Sequence, residues 1–147
     1  MTDAQLAGRG ERLAAALIDA LIASAVYIPI AFATGILSAV WHHQATIGML
    51  ASSALLGFVV FVLVQAWPLA ETAQTWGKRA MGIRIVMLDG TQPTLATLLF
   101  KRYLPWQAVS ALPGIGSLAS LVNCLMIFRS DRRCGHDLIA GTRVVQA

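Results

Sequence analysis

The side chain of this sequence with the clearest capacity for chemistry is a carboxylate inside an apolar run. It is Asp19, at the end of Arg12-Leu-Ala-Ala-Ala-Leu-Ile-Asp19. A helix turns 100° per residue, so positions seven apart stand about 20° apart around its axis and roughly 10 Å apart along it. Arg12 and Asp19 therefore share a face, which Ala16, Ala23 and Tyr27 continue. The run stays apolar to Val40, long enough for a bilayer, and puts Asp19 below an Arg12 held at the membrane surface. A carboxylate at that depth costs a few kcal/mol and faces protein or water rather than lipid. Two roles fit it: an acid that binds a cation or proton in transit, or an acid paired to hold helices together. Either needs a partner. In the second apolar segment Val60 and Phe61 reach that depth without a donor, and Gln65 falls nearer the surface. Asn123, six residues before Arg129, lies about 9 Å deep. The expected neighbour of Asp19 is therefore the Asn123 amide, with Ser120 close by.

Other reactive residue types make weaker patterns. Cys124 and Cys134 form neither a disulfide framework nor a metal set. Arg132 and Arg133 beside Cys134 would lower its pKa, but a spectator thiol is the simpler reading. The adjacent His42 and His43 read as a polar linker rather than as metal ligands. Gly77-Lys78 lacks the upstream glycine of a phosphate loop and follows no buried strand. No nucleophile–base pair or ligand set stands out, so the sequence predicts no enzyme, no cofactor and no metal site.

These residues need elements to position them. The chain has 147 residues, 57% hydrophobic and 12% charged, against about 25% charged in an ordinary soluble domain. A soluble core of this size does not need so much apolar surface. The expectation is a single-domain, all-α integral membrane protein. Behind a polar stretch, Met1 to Glu11 with Asp3, Arg9 and Glu11, helix 1 spans about 13–40. It is too long for a signal peptide's core and is read as retained. Its 28 residues would extend about 42 Å, with a kink expected at Pro29 and tilt taking up the excess. Helix 2 spans about 47–67, carries the small-residue pair Ser53 and Gly57, and should stop at Pro68. The short link predicts an antiparallel hairpin of the two.

The polar middle, 68–102, should hold a helical turn capped by Thr75 and ending at Gly82, then a strand over Ile83 to Met87. Thr94 starts a further helix carrying Lys101 and Arg102. Residues 103–128 are apolar but broken by Pro105 and by Pro113-Gly-Ile-Gly116, so they form a short helical hairpin or a third span. In the tail, 129–147, Thr142 to Val145 should pair with Ile83 to Met87 as a small two-stranded sheet.

The net charge of +4 arises from eleven Lys and Arg residues that flank apolar segments. They form no aromatic-interleaved stripe, which argues against nucleic acid. Two precede helix 1 or open it (Arg9, Arg12), five occupy the middle, and four the tail (Arg129, Arg132, Arg133, Arg143). None lies between the first two segments. Basic residues stay on the cytoplasmic side, so both termini are expected there. A hairpin over 103–128 keeps all eleven inside, whereas a third span would strand four outside.

Three blocks carry a family resemblance: Arg12 to Asp19, Gln74-Thr-Trp-Gly-Lys-Arg-Ala-Met-Gly-Ile-Arg-Ile-Val86, and His136-Asp-Leu-Ile-Ala-Gly-Thr-Arg-Val-Val145. Together they resemble the RDD family of bacterial membrane proteins, whose one arginine and two aspartates map to Arg12, Asp19 and Asp137. Cys134 stands where a polar residue is commoner. The resemblance implies a multi-pass inner-membrane protein of unsettled function, for which transport of ions or small solutes is suspected, and it supplies no catalytic residue. It adds a motif of Gln74, Gly77, Lys78, Arg84, His136, Gly141 and Thr142. Arg12 and Asp137 should form a two-pronged ion pair at the cytoplasmic surface, with Arg84 in the same region. Two functions stay open. One is transport by an oligomer, with Asp19 binding the ion. The other is an accessory or scaffold role, in which the basic face docks a partner protein or anionic lipid.

Overall fold

A computed structural model describes residues 5–112 and 114–147; Asp3 and Pro113 lie outside the described residues. The chain is mostly helical, with two long apolar helices and one two-stranded sheet. Helix α1 (Arg9–Ala33) begins where the Glu11 carboxylate accepts the Gly8 N–H at 2.6 Å, an acid suited to a helix N-terminus. It ends at Gly35, whose φ of 74° is the left-handed conformation that stops a helix. The expected single helix to residue 40 is therefore two, α1 and a short α2 (Ile36–Trp41). The break falls at Gly35 and Pro29 stays inside α1.

Helix α3 (Ile47–Thr72) starts at Thr46, whose hydroxyl accepts the Met49 N–H. It does not stop at Pro68 as expected. Pro68 has no N–H for the Val64 carbonyl four residues back, and that carbonyl accepts the Trp76 indole N–H at 2.8 Å instead. With the freed acceptor satisfied, the helix continues to Thr72 and ends at Ala73 in the left-handed region.

Thr75 caps α4 (Trp76–Ala80) by accepting the Lys78 N–H, and Gly82 turns the chain into β1 (Ile83–Met87). β1 pairs antiparallel with β2 (Thr142–Gln146), Ile83 opposite Gln146 and Met87 opposite Thr142. Ile83, Ile85, Val144 and Val145 are buried. Ile83, Ile85 and Val144 meet Ala15, Leu69, Ala73 and Leu98 in a small core at one end of the long helices.

A π-helical segment, Thr97–Tyr103, leads into α5 (Leu104–Ser110), with Pro105 in its first turn. The chain reverses before α6 (Ile115–Leu125), and the Ser110 and Ser120 hydroxyls lie 3.4 Å apart. A side chain at Gly116 would collide with the Ser110 carbonyl, so glycine permits this close packing. Among the described residues no single helix runs over 103–128, since α5 ends at Ser110 and α6 begins at Ile115. Helix α7 (Gly135–Ala140) then leads through the left-handed Gly141 into β2.

Candidate functional site

Arg12, Asp19, Lys78 and Asp137, all singled out in the sequence, gather at the sheet end of the long helices, in two joints. The first is the seat of Asp19. Its Oδ1 accepts from the Gln65 amide at 2.9 Å and from the Gly77 N–H at 2.8 Å. Its Oδ2 accepts from the Thr75 hydroxyl, and the Lys78 ammonium stands 4.0 Å away. Gln65 is itself held, its carbonyl accepting the Trp76 N–H at 3.0 Å. The seat exists because α4 lies directly on α1. A Cβ at Gly77 would strike the Ala15 carbonyl and stand 2.9 Å from the Asp19 carboxyl carbon.

This overturns the expected Asp19–Asn123 pair. Asn123 instead fixes the start of α7: its carbonyl accepts the Gly135 N–H at 2.8 Å and its amide lies 3.2 Å from His136 Nδ1. The error lay in the end of α3. With the helix ending at Thr72, Gln65 sits seven residues, about 10 Å, from that end, the same depth Asp19 has below Arg12.

The second joint surrounds Asp137, which has no exposed surface. Arg12 reaches Oδ2 at 2.6 Å through one terminal nitrogen, not the two-pronged contact expected, because its other terminal nitrogen donates to the Arg132 carbonyl. The surprise is Arg102, 1% exposed, which bonds Oδ1 and also the Thr142 hydroxyl. Thr142 donates to the same Oδ1 at 3.2 Å, and the Cys134 N–H to Oδ2 at 3.1 Å. Burial alone would raise the Asp137 pKa. Arg102, His136 and Arg12 outweigh it and hold the carboxyl well below the usual carboxylate range. Burial lowers the Arg102 pKa, and Asp137 together with Tyr103 more than restores it, so the net shift is upward. The two hold each other ionised.

The neighbours follow the same physics. Burial, then the Arg102 charge, pushes His136 down to about 3, so its imidazole is neutral at physiological pH. Burial pushes the Cys134 thiol up, correcting the expected lowering by arginines. Cys134, His136 and Asp137 offer ligand atoms within 4.8 Å of one another. Two guanidinium groups already occupy the Asp137 oxygens, however, and they oppose a cation there.

The remaining motif residues serve the backbone or stand apart. Gln74 is buried and donates to the Ile83 carbonyl at 2.9 Å, and Gly141 supplies a left-handed turn. Arg84 is exposed on β1 and does not join the joints, contrary to expectation. Sequence reasoning missed Arg102, set aside Gln65, and saw Thr75 only as a cap. A signal for Arg102 was present: it stands four residues after the buried Leu98, hence on that residue's side of the chain.

Such a molecule is a small helical protein whose two long apolar helices are tied to a polar sheet-bearing end by two carboxylates, the half-buried Asp19 and the buried Asp137. The RDD family model matches residues 6–141, and the chain belongs to that family. It is similar to the "Uncharacterized protein YckC" of Bacillus subtilis (strain 168), 33% identical over 141 residues, covering 96% of this chain and 85% of that one. No solved structure matches the chain.

Proposed function

We infer that this chain is a multi-pass protein of the bacterial inner membrane with both termini cytoplasmic. It works as a membrane platform whose basic cytoplasmic end docks an anionic partner, rather than as an enzyme. The membrane reading rests on α1 and α3. Both are long and apolar enough to cross, and only 6% of the most apolar window of each is buried. The orientation rests on the basic residues, all of which lie outside the link between those helices.

The observation that carries the platform role is that the chain's own donors engage both carboxylates. Asp19 has three hydrogen-bond donors and a lysine nearby, and Asp137 has two arginines, a hydroxyl and a backbone N–H. Asp137, with two donors on each oxygen, has no vacant lone pair to offer a passing cation, and the free lone pair of Asp19 Oδ2 stands beside the Lys78 ammonium, which opposes one.

A second reading, transport of ions or small solutes by an oligomer, is favoured by one feature. A cleft of about 490 Å³ between α1, α3 and α5 carries Tyr27, Ser53, Gln107 and Ser110 among small apolar residues. Flux of sodium, potassium and protons into proteoliposomes separates the two. The platform reading expects wild type to match protein-free vesicles. A flux that Asp19→Asn abolishes, with the variant still folded, overturns it in favour of transport.

A further inference from the structure

Beside the Asp137 joint lies a cavity of about 450 Å³ with an unusual lining. Four cations border it, Arg9, Arg12, Lys78 and Arg102, and no carboxylate lines it among the described residues. Asp137 engages Arg12 and Arg102 from behind, which leaves the positive charge in excess. Two of the four are only lightly held. The Lys78 ammonium is 4.0 Å from Asp19 and 3.4 Å from the Thr75 hydroxyl. Arg9 is exposed, its guanidinium 5.7 Å above the Phe128 ring and 3.4 Å from that residue's carbonyl. Arg102 is 1% exposed and held from behind by Asp137, so it adds charge to the wall rather than a free donor.

The rest of the lining is apolar and open. Leu13, Leu125 and Phe128 border the same cavity and are 56%, 56% and 66% exposed. A soluble anion would use the cations and leave this apolar margin in water. An anion carrying alkyl chains uses both. In the orientation above, Arg12 marks the cytoplasmic membrane surface, so the cations stand at headgroup level and the apolar margin turns toward the acyl chains. The neutral His136 at the back of the cavity adds no charge.

We propose that this cavity binds an anionic phospholipid of the cytoplasmic leaflet, its phosphate between Arg9 and Lys78 and its chains along Leu13 and Phe128. The proposal rests on the membrane-platform reading and names the partner of its basic end. Each of the two loosely held cations contributes the attraction of a basic residue at an anionic surface, so removing both lowers affinity roughly thirtyfold.

Titration of the detergent-solubilised full chain, followed by native mass spectrometry, tests it with three probes: phosphatidylglycerol, phosphatidylcholine and glycerol 1-phosphate. The expected result is binding of phosphatidylglycerol, with the other two at least about tenfold weaker. Arg9→Gln/Lys78→Gln loses roughly thirtyfold, and Arg9→Gln alone roughly fivefold, a change at an exposed residue that spares the Asp19 seat. Arg79→Gln/Lys101→Gln, which removes two exposed charges away from the cavity, stays near wild type. Equal binding of phosphatidylcholine overturns the proposal, as does equal binding of glycerol 1-phosphate, which would make the ligand a free anion. Equal loss in the Arg79/Lys101 variant also overturns it, since the attraction would then be diffuse. Ion flux through the wild type would overturn the platform reading and leave this binding pattern untouched, so the two failures are distinguishable.

Discussion

Arg102→Met is the perturbation that weighs most on this architecture. It removes a guanidinium that is 1% exposed from a carboxylate that is 0% exposed, leaving Asp137 with Arg12, the Thr142 hydroxyl and the Cys134 N–H. Breaking a buried ion pair from one side costs about 3–5 kcal/mol, because the remaining charge keeps its desolvation penalty. Asp137→Leu should cost at least as much, since it strands two guanidinium groups, Arg102 and the 8% exposed Arg12. Arg12→Ala should cost less, about 1.5–3 kcal/mol, because Arg102 still neutralises Asp137. The double variant Arg102→Met/Asp137→Leu leaves neither of those two charges and should fall short of additivity by about 1–3 kcal/mol. Reversible unfolding of the detergent-solubilised protein, read by tryptophan fluorescence, gives all four numbers. Additive losses, or an Arg12→Ala variant weaker than Arg102→Met, would refute a clamp centred on Arg102 and Asp137.

Three further outcomes follow from the same geometry. His136 has a folded pKa of about 3 against about 6.5 unfolded, so the unfolded chain binds the extra proton between those values. Stability should therefore fall as pH drops below about 6.5, by about 1.4 kcal/mol per unit. His136→Gln should flatten that slope while Arg12, Lys78 and Arg102 stay charged and Asp137 stays ionised, and a slope unchanged by the substitution would contradict it. Gly77→Ala should destabilise by about 1–3 kcal/mol or push α4 off α1, because its methyl group meets the Ala15 carbonyl and the Asp19 carboxyl; a melting temperature equal to wild type would count against the Asp19 seat. Asn123→Leu should loosen the start of α7, speeding amide exchange at Gly135, and leave exchange at the Gly77 N–H unaltered. Faster exchange at both sites would restore the Asn123–Asp19 link that the structure lacks.

Much of the fold was legible, and for local reasons. Ile83 to Met87 and Thr142 to Val145 alternate β-branched residues next to glycines, and they pair as expected, one residue longer at Gln146. Thr75 reads as a cap from its type alone and is one. The failures came where tertiary contact overrules a local rule. Pro68 reads as a stop, and only the Trp76 indole, eight residues on, makes the continued helix tolerable. That error moved the apparent depth of Gln65 and sent Asp19 to the wrong partner. Lys101 and Arg102 read only as basic residues on the helix that Thr94 starts. In the structure Arg102 turns into the core beside Leu98, four residues back, because the distant Asp137 supplies the counter-charge that burial requires. Arg12 was legible from its spacing to Asp19, whereas Asp137 was found through family resemblance, because its separation from Arg12 along the chain leaves no spacing signal.

The central claim is that every basic residue gathers on one membrane face and that this face is cytoplasmic. It is tested most directly by single cysteines at Gln44 and Ala147 in a Cys124→Ser background, where Cys134 stays buried. Intact cells are treated with a membrane-impermeant maleimide. The platform account expects labelling at position 44 and protection at position 147 until the membrane is permeabilised. Labelling at 147 in intact cells would put the tail arginines and the Asp137 joint outside, and would contradict the account.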